Sequence, residues 1–534
     1  MSVSPAASVQ PNPDDLVPAG ATRRDWLGLV VLAGAVMLIA VDGTVLDIAL
    51  PFLSADLRPS STELLWIIDV YSFVLAGLLV TMGTVGDRIG RRRLLLIGAV
   101  GFGLSSVLAA FAVDPAMMIA ARVLQGISGA TLMPATLGLI RTMFQVRRER
   151  TLAIGVWGAM AGGGAAAGPL VGGWLLEHFW WGSVFLINVP IMIALVVVGP
   201  FTIPESKDPE PGRFDVPSAA LSILAIVPVV YAIKETAAHG PHPSMIPVAL
   251  VGLAAGAVFV RRQGRLAAPM IDLTLFAQRR FSTAVATNLL SVFALAGVLF
   301  FGSQYLQSVL GTSPLEAGLI MLPGTATSIV ASLAAAHLVR RWEAGTVLAV
   351  GLGVSAAGAL LLTRLGQTDG IAVFMASFVL VGVGAGLALT LTSDLVVASV
   401  PAPRAGAASA ISETAYELGI ALGVALLGSV VMAVFRGGID TSALDPDTAS
   451  GARETIGEAV SLARTLPADL GDALTSSAGA AFVDGMHVAA VATAIVLVAN
   501  ALLVALALRG SDAGDARAEP ESHSNGTHSS TTKE

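Results

Sequence analysis

Six ionisable side chains interrupt stretches of the chain that are otherwise almost uncharged: Asp42, Asp47, Asp69, Arg122, Glu413 and Glu417. Charge in such surroundings is expensive, and its default meaning is function. Glu413 and Glu417 are four residues apart, so on a helix they share one face. Two carboxylates that close in a low dielectric cannot both ionise cheaply, and one of them must hold a proton near neutral pH. Such a site can trade a proton for a cation: protonated it holds none, ionised it attracts one. At about 1.5 Å per helical residue, Asp42 sits about 24 Å up its stretch, and Asp69 and Arg122 lie about 8 to 9 Å below the far ends of theirs. Arg122 can therefore pair with Asp42 or with Asp69 and offset the cost of burying both. Asp47 lies nearer the end of its stretch, where it can simply face water.

The elements that must carry these groups follow from composition. Hydrophobic residues make up 55% of the 534 and charged residues 13%, with a mean hydropathy of +0.79. Soluble domains run near 25% charged, so a soluble protein is excluded. A bilayer core needs about 20 apolar residues per helix. About fourteen stretches meet that need, from 26–50 through to 485–509. With the N-terminus inside, 23 of the 30 Lys and Arg residues fall in inner segments, six fall outside, and Arg122 lies within a span. That asymmetry predicts both termini in the cytoplasm and an even number of spans. Cysteine is absent, the polar first 22 residues are no signal peptide, and the net charge of -7 is gathered in one long loop and the tails. No P-loop, metal-ligand spacing or nucleic-acid signature is present, so no enzyme, cofactor or nucleic-acid partner is expected.

The spans group as six, two and six. Residues 1–25 form a cytoplasmic tail, 26–203 a six-helix bundle, and 204–280 two inserted helices with a cytoplasmic linker. Residues 281–509 form a second six-helix bundle containing an outer helical hairpin at 436–484, and 510–534 a polar, disordered tail. The expected fold class is thus all-α and polytopic, two six-helix bundles plus two extra helices.

Three motifs sharpen this. GTVGDRIGRRRLL (83–95) offers glycines for a tight turn (Gly83, Gly90), an acid that can pair with an arginine and cap a helix (Asp87), and basic anchors (Arg88, Arg91). RVLQGISGA (122–130) carries the in-span arginine. WGAMAGGGAAAGPLVGG (157–173) strips side chains from a helix face through Gly168, Gly172 and Gly173, and Pro169 permits a kink. The first resembles the signature loop of the major facilitator superfamily, the second the R-x-x-Q-G motif of its proton-coupled members, and the third the antiporter motif of its exporters. Together with VDGTVLDIALP (41–51), LLWIIDVYSFVLAG (64–77), FLINVP (185–190), PMIDLTLF (269–276) and ISETAYELG (411–419), the chain resembles the fourteen-spanner drug:proton antiporter family, the QacA/LfrA/EmrB-like multidrug exporters.

That resemblance implies a monomeric secondary transporter of the bacterial inner membrane. It exports lipophilic cationic compounds in exchange for protons, with the proton gradient as energy source. Asp42, Asp69, Arg122, Glu413 and Glu417 would serve proton coupling and substrate binding. Gly83, Asp87, Arg88, Gly90, Arg91, Gly168, Pro169, Gly172 and Gly173 would serve conformational gating. Ser328 stands where related exporters have an acid tied to divalent cations, which favours monovalent substrates. The alternative is a dedicated exporter of one antibiotic, lipid or other endogenous metabolite.

Overall fold

The structure, a computed structural model, describes residues 20–59, 61–209, 215–239, 243–266 and 269–508. Every regular element among them is helical. The chain begins with α1 (Arg23–Leu57), α2 (Ser61–Ile89), α3 (Arg91–Ala110), α4 (Pro115–Met143) and α5 (Arg147–His178). A single turn, α6 (Ser183–Leu186), leads into α7 (Asn188–Thr202). There follow α8 (Val216–His239), α9 (Met245–Gln263), α10 (Arg279–Gln304), α11 (Pro314–Leu338), α12 (Ala344–Leu361), α13 (Ile371–Ala398) and α14 (Ala405–Leu422). A π-turn at Gly423–Leu427 joins α14 to α15 (Gly428–Gly438), and α16 (Pro446–Ala452), α17 (Ile456–Ala463) and α18 (Ala468–Ala507) complete the described chain.

Among the described residues, thirteen spans are long and apolar enough to cross a bilayer, and α5, bent by 46° between Ala165 and Leu170, makes fourteen if it is one span. Local chemistry sets their ends. The Asp114 carboxylate accepts from the Met117 amide at 2.7 Å to start α4, and Ser313 and Glu316 form a reciprocal capping box at α11. Between α2 and α3 the chain reverses on Gly90 alone, at φ +110°. That conformation favours glycine, and a Cβ there would also meet the Glu205 carboxylate at 2.6 to 2.9 Å. The reversal puts Asp87, in the last turn of α2, beside Arg91 at the start of α3.

Helix α5 packs on α1, and α4 packs on both α2 and α3; α13 packs on α11 and α12, and α10 packs on α13 and α14. One core runs through Leu29, Leu79, Phe102, Leu132 and Leu195, another through Phe301, Phe374, Phe378, Phe435 and Phe482. The two groups of helices meet where α5 crosses α11 and where α14 crosses α2 and α4. Helices α8 and α9 pack on each other, and α8 also touches α2. Helix α9 is the least buried span, with 17% of its apolar window covered.

Two expected boundaries shift. Helix α18 begins at Ala468 rather than near 485, so its first turns extend beyond the apolar span and α17 packs against them. The helical pattern of 451–466 is divided, because Thr455 caps a new helix through the Glu458 amide at 3.1 Å.

Candidate functional site

Asp42 and Arg122 are 1% and 2% exposed, deep among α1, α3, α4 and α7. Arg122 Nη1 donates to Asp42 Oδ2 at 2.9 Å and to Gln125 Oε1 at 3.0 Å, and its Nε donates to the Ile67 carbonyl at 3.4 Å. The guanidinium carbon lies 4.4 Å over the Tyr71 ring. The other Asp42 oxygen accepts from Asn188 Nδ2 at 2.8 Å and Gln125 Nε2 at 3.4 Å, and both amides also donate to Ser106 Oγ, at 3.0 and 3.1 Å. A buried ion pair is tolerable only when its remaining lone pairs and protons are satisfied, and these neutral amides satisfy them. Of the two acids that the spacing allowed, Asp42 pairs with Arg122. The side chains of Asp69 and Asp47 lie outside the described residues.

Three members of this cluster escaped sequence reasoning. Gln125 and Asn188 stood inside quoted motifs, and Ser106 carried no signal. Neutral polar residues do not perturb a charge count, and only a buried charge with lone pairs to fill would have called for them.

On α14, Glu413 is 4% exposed and Glu417 is half-buried, one turn further on. The two carboxylates lie on one face of α14, as the four-residue spacing requires, and α14 packs on α2 and α4. Asn288 Nδ2 of α10 donates to the Ser412 carbonyl at 2.9 Å and its Oγ at 3.2 Å, which fixes the helix face next to Glu413. The hydrogen bonds of Asp42 and Arg122 stay within the first seven helices. The acids thus form two clusters rather than one.

The Arg-rich end of the molecule is clamped shut twice. Arg91, fully buried, pairs with Asp87 at 2.7 Å and donates from Nη1 to Ser206 Oγ at 3.0 Å and to the Ala402 carbonyl at 2.9 Å. Asp87 Oδ2 accepts the Ala407 amide at 3.0 Å, at the N-terminus of α14, where the helix dipole favours an anion. Gly83 allows this approach: a Cβ there would lie 2.7 Å from the Ala410 Cβ and 2.8 Å from the Gly406 carbonyl. Arg88 faces a cavity of about 650 Å³ at the same end, shared with Asp208, Asp215 and Arg404.

The second clamp was not foreseen. Arg150 Nε of α5 meets Asp394 Oδ1 of α13 at 2.6 Å, the Thr151 hydroxyl donates to Asp394 Oδ2 at 2.8 Å, and Arg141 Nε donates to the Val397 carbonyl at 3.2 Å. Asp394 was not among the charges read as lying within a span. Helix α13 runs to Ala398, and Asp394 is 6% exposed inside it. The six in-span charges counted from sequence therefore omit it. The apolar Leu395, Val396 and Val397 beyond it were the available signal.

The bend in α5 falls at the segment containing Gly168 and Pro169. On the Arg-rich side of the bend, a Cβ on Gly155 would meet the Ser332 carbonyl of α11 at 2.7 Å, and Ser332 Oγ donates to the Gly155 carbonyl at 3.0 Å. Gly164, Gly168 and Gly172 instead press on α1 at Met37, Thr44 and Val45. The three are spaced by four and form one glycine stripe. Gly173 has no atom of a described neighbouring helix within 4 Å of its Cβ position.

A sequence model described as Major Facilitator Superfamily matches residues 32–424. The chain is similar to the multidrug efflux pump LfrA of Mycolicibacterium smegmatis, 48% identical over 91% of this chain and 97% of that protein. It is also similar to the methyl viologen resistance protein SmvA of Salmonella typhimurium, at 40% over 86% and 93%. The tetracenomycin C resistance and export protein of Streptomyces glaucescens is 34% identical over 91% and 92%. Among solved structures, the human organic anion transporter MFSD10 aligns with a TM-score of 0.59 at 14% identity, covering 90% of this chain and 99% of that one.

Proposed function

This chain belongs to the Major Facilitator Superfamily, and from that premise we propose that it is a multidrug efflux antiporter that expels lipophilic cations from bacteria in exchange for protons. It is a multi-pass transporter of the cytoplasmic membrane, not an enzyme. The Arg-rich end is the cytoplasmic end, both termini lie there, and the monomer is the working unit. The two groups of six spans rock about the site, and α8 and α9 ride outside them.

One observation carries the mechanism. Helix α14 bears Glu413 and Glu417 and, two turns earlier, the Ala407 amide that Asp87 holds. Cargo and latch thus share one rigid element. With the cytoplasmic end clamped, the carboxylates release the cation and take up protons from outside. Neutral, they have no claim on a cation, and the clamps then open toward the cytoplasm, where proton loss restores the negative charge that attracts the next one. The Asp42–Arg122 pair holds the facing helices in register and supplies a second group whose protonation frees Arg122. Asp69, on the same turn of α2 as Tyr71, belongs to this set by the resemblance noted from sequence. Gly83, Asp87, Arg88, Gly90 and Arg91 act at the first clamp, and Gly168, Pro169 and Gly172 at the α5 bend. No bound cofactor enters the cycle.

The dedicated exporter, favoured by the tetracenomycin relative, shares this geometry, and the higher identity to a multidrug pump sets it second. Ethidium uptake into inverted vesicles with an imposed acid interior tests the reading. Uptake by wild type, lost in Glu413→Gln, is expected. No uptake by well-folded wild type would shift the weight to a dedicated exporter, and uptake intact in Glu413→Gln would remove that residue from the site.

A further inference from the structure

We propose that Tyr71 is the positioning residue that links the two acidic clusters: its ring carries Arg122, and its hydroxyl is the hydrogen-bond donor for ionised Glu417. The proposal deepens the antiport reading above and rests on it for its purpose. The geometry stands by itself.

The Tyr71 hydroxyl is buried and has no hydrogen-bond partner among the described residues. Buried donors are rarely left so, and one that is calls for a partner in another state. The side chain lies along α4. The Tyr71 carbonyl is 2.8 Å from a Cβ position on Gly126, and the hydroxyl is 3.4 Å from one on Gly129. The ring therefore starts beneath Arg122 and points its oxygen toward the cytoplasmic end. Helices α2 and α14 run in opposite directions and approach closely at Gly83 and Ala410, which lie 2.7 Å apart between Cβ positions. Counting away from that point, Tyr71 is about 18 Å along α2 and Glu417 about 10 Å along α14. The descending side chain narrows this difference, and α14 packs on both helices the phenol touches, α2 and α4.

The charged groups around Tyr71 are Asp42 from α1, Arg122 from α4 and Glu417 from α14, with Glu413 and Tyr416 beside Glu417 on its own helix. Helix α8 meets α2 through Ile223 and Val227 at Gly77, through the Ser222 hydroxyl at Thr81 and through the Tyr231 ring at Phe73. On α2 itself the side chain of Asp69 lies outside the described residues. No covalent step is involved. The phenolic proton stays on its oxygen, and one hydrogen bond forms when Glu417 loses its proton and breaks when it regains it. Because the same ring lies under Arg122, forming that bond moves the surface on which the Asp42–Arg122 pair rests.

Infrared pH titration of the purified full-length protein tests this. The protonated-carboxyl band is followed, and the Glu417→Gln spectrum identifies the Glu417 component. Tyr71→Phe keeps the ring and removes the donor. A donor to the ionised form favours that form, so its loss should shift the Glu417 midpoint upward by about one pH unit. Tyr71→Leu removes ring and donor and should show at least the same upward shift. A midpoint unmoved or lowered in Tyr71→Phe, or no Glu417 component in wild type, overturns the proposal. The readout needs no transport. A wild type that moves no ethidium counts against the export reading, and the titration still decides the role of Tyr71.

Discussion

Replacing Asp394 by alanine should spring the Arg-rich end open. In the closed conformation the Arg150–Asp394 pair is nearly dry, with side chains 7% and 9% exposed, and it joins α5 to α13 across the interface. Removing one member of a buried pair costs about 3 to 5 kcal/mol, because the other charge is stranded. When the end opens, water reaches Arg150 and that cost vanishes. The substitution therefore penalises only the closed state, by about 3 kcal/mol at the lower bound, which is more than a hundredfold in the equilibrium. An ensemble closed about ninety-nine to one would become roughly even. The chain has no cysteine, so Gln145→Cys and Glu343→Cys, both exposed at that end, can be spin-labelled without further changes. Pulsed electron resonance should show the short wild-type distance giving way to a longer one in Asp394→Ala. Arg150→Met combined with Asp394→Leu strands no charge, and should return the distribution toward the short distance. An Asp394→Ala protein that binds ligand but keeps the wild-type distribution would refute the reasoning. So would a double variant as open as the single one.

Asp42→Asn keeps the shape of the first cluster but leaves Arg122 without a counter-charge; proton-driven ethidium uptake in inverted vesicles should be lost while the protein still inserts. Gly172→Leu puts a side chain where a Cβ alone already stands 2.7 Å from Val45 Cγ2, so it should destabilise the fold by about 1 to 3 kcal/mol, whereas Gly173→Ala should leave the thermal midpoint in detergent unchanged. Hydrogen bonds from Arg262 and Ser218 hold the Asp215 carboxyl below the ordinary aspartate value of 3.8. Its contribution is therefore complete above that value and is lost as pH falls through the lowered one. Asp215→Asn should lower the melting temperature slightly at pH 7, and the gap to wild type should close in strong acid.

Much of this was legible because a bilayer constrains sequence so severely. Apolar length marked the spans. Arg122 announced itself as a charge where none is cheap, and Asp87 as an acid within a basic loop. Helix periodicity alone put Glu413 and Glu417 on one face. What stayed hidden was pairing at a distance. Arg150 and Asp394 are 244 residues apart, and each looked like an ordinary loop charge at the end of its apolar run. That Asn188 and Gln125 reach the second oxygen of the Asp42 carboxylate is a matter of side-chain packing that spacing does not encode. Composition marks a glycine-rich face, and only the rotation of α5 on α1 decides which glycines lie in the contact, here Gly164, Gly168 and Gly172.

The thin cover on α8 and α9 ties the protein to the thickness of its membrane. These helices face lipid rather than water, so no hydrophobic driving force holds them to the rest; close packing does, as where a Cβ on Gly252 would meet Val229 Cγ2 at 2.7 Å. Helix α9, at 19 residues, is about 28 Å long, close to the hydrocarbon thickness. A thicker bilayer must thin locally around it, while a thinner one must tilt it, and either strain falls on a hairpin that leans on the α2 helix carrying Tyr71 and Asp87. Hydrophobic mismatch therefore enters this molecule at its periphery and arrives, one helix later, at the gate.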